Sequence, residues 1–398
     1  MSMRVAGRTI SLGALGSRDF RWYLSGQLAA SAIYQLFNVV QGWLIYHLTG
    51  SAYALGWVTA FWSISMIALS PFGGVVADRI DRRKLIIACR LTMAVNIACV
   101  VVLIVAGLIQ VWHLALSSFL NGVVFAFMLG AETSLISDLV EPSELLSANA
   151  INAVGMGLTG IVFASAGGWL IAVAGPQAGY GVIVLLHCYA AFSYGRLPAR
   201  PPASTSHYSP LQEMRKGLAY IKGNGLLMML LIIAVVRMFF GQPYNSMLPA
   251  FSREALGLDA TGLGALLSSV GLFLVGDMRR KGRALLIASM VAGLSLILVA
   301  ISPSYGRSLV GLAITGGAIN ISMVLNMTLV MSTPDPAYRG RVMSIYMMQW
   351  ALVSFGAMPA GALADVIGVH NVYAILGAFL CLFFGMLLVR RQDIQEMA

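Results

Sequence analysis

Apolar residues in this 398-residue chain run in long blocks rather than alternating with polar ones. A helix needs about 20 mostly apolar residues to cross the ~30 Å hydrocarbon core of a bilayer. Twelve blocks read as such spans: 22–47, 54–76, 85–107, 111–131, 148–174, 178–195, 225–250, 261–276, 284–302, 308–331, 342–367 and 371–389. The eighth, Thr261 to Gly276, is short and reaches only about 24 Å at the helical rise. It either tucks into the protein and thins the bilayer locally, or marks a deletion that weakens function. The longest polar stretch, 196–224, falls between the sixth and seventh blocks. Its Pro and Ser residues make a linker, and Leu211 to Ile221 reads as a short amphipathic surface helix. The expected organisation is a six-span half over 1–195, a cytoplasmic linker over 196–224, and a second six-span half over 225–398.

The placement of basic residues orients these spans. With both termini on the cytoplasmic side, 22 of the 25 Lys and Arg residues fall in cytoplasmic segments. Only Arg253 and Arg307 fall outside, and Arg237 lies within a span. That asymmetry is the positive-inside rule, and it fits an even number of spans. The net charge of +10 therefore faces an anionic inner leaflet, not nucleic acid. Composition agrees: 59% of residues are hydrophobic and only 10% charged, far from the soluble norm of about 25% charged. The 42 glycines suit helices that pack closely in lipid. Residues 1–21 carry Arg4, Arg8, Arg18 and Arg21 without an apolar core, so no cleavable signal peptide is expected. The four cysteines show no CxxC spacing and the five histidines no HExxH, so no disulfide framework, metal site or cofactor is expected. Without a Walker-type loop, ATP is not the expected fuel, and no catalytic constellation marks an enzyme.

The two halves echo each other. The segment GGVVADRIDRRKLIIA at 73–88 matches LVGDMRRKGRALLIA at 274–288, which places Asp78 opposite Asp277. Further on, Pro142 and Gly167 correspond to Pro336 and Gly361 at one common offset. Six spans repeated in parallel build one class of transporter, with a central site between the halves. The first of these loops reads Gly74-Val75-Val76-Ala77-Asp78-Arg79-Ile80-Asp81-Arg82-Arg83-Lys84. It resembles the signature loop of the major facilitator superfamily, G-x-L-A-D-R-x-G-R-K, with Asp81 where the pattern has its second Gly. The segments 17–27, 42–56, 139–152 and 339–348 are similar to the exporter branch, which includes enterobactin-exporter-like and macrolide-efflux-like proteins. The resemblance implies an all-α fold of twelve transmembrane helices in two six-helix halves. It also implies secondary export of a medium-sized organic molecule. Two signatures of drug–proton antiporters are missing: the fourth span has Asn121-Gly122 and no Arg, and the fifth has Phe163-Ala164 in place of Gly-Pro.

Candidate site residues follow from cost. Asp78 ends a helix at the membrane face among arginines, where a carboxylate can pair with them or with another helix's N-terminal amides. Gly74, Asp78, Arg79, Arg82 and Arg83, with Asp277 in the second half, are therefore candidates for a cytoplasmic latch. The superfamily pattern adds the helix after Arg339-Gly340-Arg341 as partner, with Arg341 in the latch. The alternative is charge that only sets topology. Ionisable groups inside the membrane are functional candidates by default. Arg237 lies near mid-membrane, where it either contacts an anionic substrate, braces a carboxylate or snorkels. Glu132, at the inner end of the fourth span, is either a solvated loop acid or a proton carrier. Asp365 reads as interfacial. Gln27, Ser31, Tyr34, Gln35, Asn38 and Gln41 form a polar stripe on the first span, which must face protein or water. By the superfamily's architecture Gln35, Asn38, Asn121, Arg237 and Asn320 line a substrate cavity; the alternative is hydrogen bonding between helices.

The expected function is efflux of a small organic molecule, siderophore- or drug-like and with anions among the candidates, from a bacterial cytoplasmic membrane by alternating access. The expected coupling ion is H+, and the expected working form a monomer in the bilayer without nucleic-acid partners. Uptake by the same fold, and a transport-inactive membrane sensor or assembly partner, are the rival readings.

Overall fold

The computed structural model describes residues 2–5, 8–11, 15–140, 144–198, 210–251, 280–302, 305–335 and 338–397. Eleven helices among them are long and apolar enough to cross a membrane. The first unit holds α1 (Arg18–Thr49), α3 (Arg82–Val105), α4 (Val111–Leu139), α5 (Leu145–Ala174) and α6 (Pro176–Gly195). The second holds α7 (Pro210–Gly223), α8 (Gly225–Val236), α9 (Pro243–Ser246), α10 (Lys281–Ala300), α11 (Tyr305–Ser332), α12 (Arg339–Met347), α13 (Leu352–Ile367), α14 (Val369–Arg390) and α15 (Gln392–Gln395). Helix α2 (Ala52–Arg79) is shared, because contacts group Thr49–Ser63 with the second unit and Ile64 onward with the first. The expected eighth span, 261–276, lies outside the described residues. A short antiparallel ribbon, β1 (Ser2–Val5) with β2 (Arg8–Ser11), precedes α1 and departs from the all-helical expectation at that one place.

Local chemistry sets the helix ends. Asp81, the departure from the signature pattern, is the N-cap of α3: its carboxylate accepts from the Arg83 and Lys84 amides. The α5–α6 and α13–α14 turns each pass through one left-handed glycine, Gly175 at φ 77° and Gly368 at φ 86°. A side chain would strain both positions.

The sequence repeat reappears as packing. In the first unit α3 packs against both α4 and α6. In the second, α10 packs against both α11 and α14, which are the corresponding spans. Close approach of α10 and α14 depends on Gly293 and Gly377, each of which faces the other's carbonyl oxygen. Asn96 on α3 donates to Ser117 Oγ on α4 at 3.0 Å, and Ser289 on α10 bonds Ser322 on α11 at 2.7 Å. Outward-facing positions remain apolar, with Val95, Val102, Leu298, Leu382 and Val389 exposed as a lipid-facing surface requires.

Two expected spans are not continuous α-helices. The seventh runs through α8 into a π-helical turn at Arg237–Gly241 before α9. The eleventh is α12, a 3-10 turn at Met348–Ala351, and then α13. The amphipathic helix expected in the linker exists as α7 and docks on α12. Tyr220 stacks on Tyr338 at 4.2 Å, and its hydroxyl accepts from the Asp335 amide at 3.1 Å.

Candidate substrate and coupling sites

Among its described residues the first unit contains one buried ion pair. Arg90 sits eight residues into α3, or about 12 Å along the axis at the helical rise. Its Nη2 donates to Glu132 Oε1 on α4 at 2.5 Å, and both side chains are almost fully buried. The Tyr194 hydroxyl on α6 lies 3.3 Å from the same Glu132 oxygen and 3.2 Å from Gln27 Oε1 on α1. Gln27 Nε2 in turn donates to the Tyr23 hydroxyl at 2.9 Å. Four helices of the unit thus converge on one carboxylate. Glu132 is therefore not a solvated loop acid, and Arg90 is not part of the cytoplasmic basic loop. Arg90 was legible as an intramembrane charge, because it falls inside the predicted block 85–107; its neighbours Arg82, Arg83 and Lys84 made it look like loop.

The polar stripe of α1 divides. Gln27 reaches α6, Ser31 donates to the Met156 carbonyl of α5 at 3.1 Å, and Gln41 donates to Ser118 of α4 at 2.7 Å. Those three hold helices together, which is the alternative the sequence left open. Gln35 is half-buried, with its amide nitrogen beside Gly160 of α5. Tyr34 and Asn38 occupy the exposed part of the stripe, one turn apart. Asn121 is buried on α4.

In the second unit Arg237 is the largest fully buried side chain, at 1% exposure. Nη2 donates to Gln349 Oε1 at 3.1 Å. Among the described residues Nε and Nη1 have no hydrogen-bond partner, nor does Gln349 Nε2 or the Tyr346 hydroxyl, which lies next to the guanidinium. Arg237 opens the π turn and Gln349 lies in the 3-10 turn, so both helix irregularities meet at this polar cluster. Gly356 on α13 packs on the Phe239 carbonyl and holds the π turn in place. Asn320 sits on α11, half-buried, and donates to the Gly316 carbonyl of its own helix at 2.9 Å. Gln349 and Tyr346 do not stand out along the sequence, because an isolated amide and a tyrosine in an apolar block carry no charge signal.

For the expected latch, Gly74, Asp78 and Arg79 are on the last turns of α2, and their side chains are outside those described. Asp277 is outside the described residues. Arg82 and Arg83 start α3. Arg83 donates to the Gly195 carbonyl at the end of α6, where helix carbonyls lack partners. Arg341 on α12 lies over the Tyr338 ring at 5.1 Å.

The sequence profile of the Major Facilitator Superfamily matches residues 23–358. The chain belongs to the major facilitator superfamily. It is a multi-pass membrane transporter by family, not an enzyme. It is 24% identical over 366 residues to macrolide efflux protein A of Streptococcus pyogenes, covering 86% of this chain and 89% of that one. To the enterobactin exporter EntS of Escherichia coli O1:K1 it is 24% identical over 313 residues, covering 76% and 74%. Among solved structures, the bacterial homolog of the lysosomal transporter Spinster superposes with a TM-score of 0.75 at 14% identity, covering 95% of this chain and 98% of that one. The nucleoside transporter NupG superposes at 0.72 and 14%, covering 94% and 100%. These likenesses establish the major facilitator fold.

Proposed function

We propose that this transporter exports a small organic molecule across a bacterial cytoplasmic membrane by alternating access, coupled to the proton gradient. The observation that carries export is the similarity, along most of both chains, to two relatives that are each named for efflux. The charge asymmetry of the loops supports cytoplasmic termini. Glu132 is the proposed proton carrier. The Arg90–Glu132 pair ties α3 to α4, and a proton carried on Glu132 would release that tie, linking the proton to movement of the two helices. Asp78 serves as the cytoplasmic latch in this reading, and Tyr34, Gln35, Asn38 and Asn121 as substrate contacts. The protein works as a monomer.

The test is transport in vesicles of purified protein with an imposed pH gradient, with a macrolide and a catecholate siderophore as trial substrates. Accumulation in inside-out vesicles with an acidic lumen, abolished by a protonophore, is the expected result. Accumulation only in right-side-out vesicles would establish uptake instead. Failure of folded protein to transport any of a broad panel in either orientation would remove the transport reading.

A further inference from the structure

We propose that Arg237, Gln349 and Tyr346 form a carboxylate-binding site within the second unit, so that the transported molecule is an organic anion. This rests on the export reading for its physiological meaning, but the site is argued from its own geometry. A guanidinium carries five N–H donors and does not give up its charge. Here two of its three nitrogens have no hydrogen-bond partner among the described residues, and the side chain is 1% exposed. Beside it, the Gln349 amide nitrogen and the Tyr346 hydroxyl also lack partners among the described residues. The cluster therefore offers two guanidinium nitrogens, an amide N–H2 and a phenol O–H at one place, all donors. That is the complement of a planar oxyanion, which accepts on two oxygens.

The described acids of the same unit are occupied elsewhere or distant. Asp365 accepts from the start of α2, Asp335 bonds Tyr220, and Asp393 pairs with Arg391. Glu396 sits at the C-terminal turn beyond the last span. A buried cation without an anion is costly, so the guanidinium favours an anionic guest.

The backbone supplies the second, independent observation. A π turn and a 3-10 turn face each other at this cluster and nowhere else among the described spans. Such interruptions recur at functional sites, and broken helices build the binding sites of many transporters. A π turn is one extra residue in a helix, and its relaxation to a regular turn would swing Arg237 about the axis. The site is closed in this structure, and that rotation gives it a way to open.

The probes are benzoate and its neutral isostere benzamide, with the purified full-length protein in detergent. Benzoate is expected to raise the melting temperature and to bind by calorimetry, and benzamide to do neither. Arg237→Gln should weaken benzoate binding more than tenfold. Should Arg237→Gln fold poorly, two variants keep the charge: Tyr346→Phe removes one donor, and Gln349→Leu removes the amide donors together with the acceptor of Arg237; each should weaken benzoate several-fold. Equal binding of benzoate and benzamide, or benzoate affinity unchanged across all three variants, would overturn the site. Benzoate binding that depends on Arg237 in a protein inert to transport would sustain the site and refute the export reading. Export of neutral substrates alone, indifferent to Arg237→Gln, would do the reverse.

Discussion

The Asp365 carboxylate holds the start of α2 at Ala52: its Oδ1 accepts from the Ala52 amide at 2.7 Å. Oδ2 accepts from the Ser51 hydroxyl at 2.5 Å and from the Tyr53 amide at 3.2 Å. Ser51 Oγ accepts in turn from the Ala54 amide at 3.2 Å. An acid expected only to sit at the interface thus satisfies the unpaired N–H groups of a helix 313 residues away, with its charge at the positive end of the helix dipole.

Asp365→Ala should lower stability by about 1–2 kcal/mol, the range for loss of a cap with a favourable charge. Asp365→Asn should cost less, because it retains acceptor geometry on one side. Thermal unfolding of the purified variants measures both, and an Asp365→Ala protein as stable as wild type would contradict the contact.

The same junction requires glycine at 361. A Cβ there would come 2.3 Å from the Ala52 carbonyl oxygen, which is backbone and cannot move aside. Gly361→Ala is expected to cost about 1–3 kcal/mol, as overpacking does. Gly181→Ala is the control, since a Cβ there meets nothing within 4 Å. It should leave the melting temperature unchanged or raise it slightly.

Removing one partner of the buried pair strands the other. Arg90→Met or Glu132→Gln alone should destabilise, by about 3–5 kcal/mol for the arginine variant, which leaves a bare buried carboxylate. Glu132→Gln keeps a hydrogen-bond acceptor for Arg90 and should cost less. The double variant Arg90→Met with Glu132→Leu should recover much of the loss, and a double-mutant cycle on thermal unfolding checks it. On the proposed coupling, Glu132→Gln should keep substrate exchange between vesicle compartments while losing proton-driven accumulation. Accumulation at the wild-type level in Glu132→Gln would move the coupling elsewhere.

Asp78→Asn tests the proposed latch. A charge-assisted contact that exists in only one access state shifts the balance of states when lost. Transport should fall several-fold at matched protein levels while the melting temperature changes little. Wild-type rates would leave Asp78 as a topology-setting charge.

The fold was largely open to reading along the chain because the bilayer imposes a length scale. Unbroken apolar runs of about 20 residues, and basic residues kept to one side, are local properties that need no knowledge of contacts. So was the duplication, since each half repeats its own pattern, and the pairing of α3 with α4 and α6 recurs as that of α10 with α11 and α14. Arg237 stood out for the same reason, as a lone charge within an apolar run. Partners were a different matter. Arg90 meets Glu132 across 42 residues, Arg237 meets Gln349 across 112, and Asp365 meets Ala52 across 313. No periodicity relates such positions. Only the packing of helices decides which polar groups share a buried site, because in a medium that offers no water each must find its partner wherever the neighbouring helix presents one.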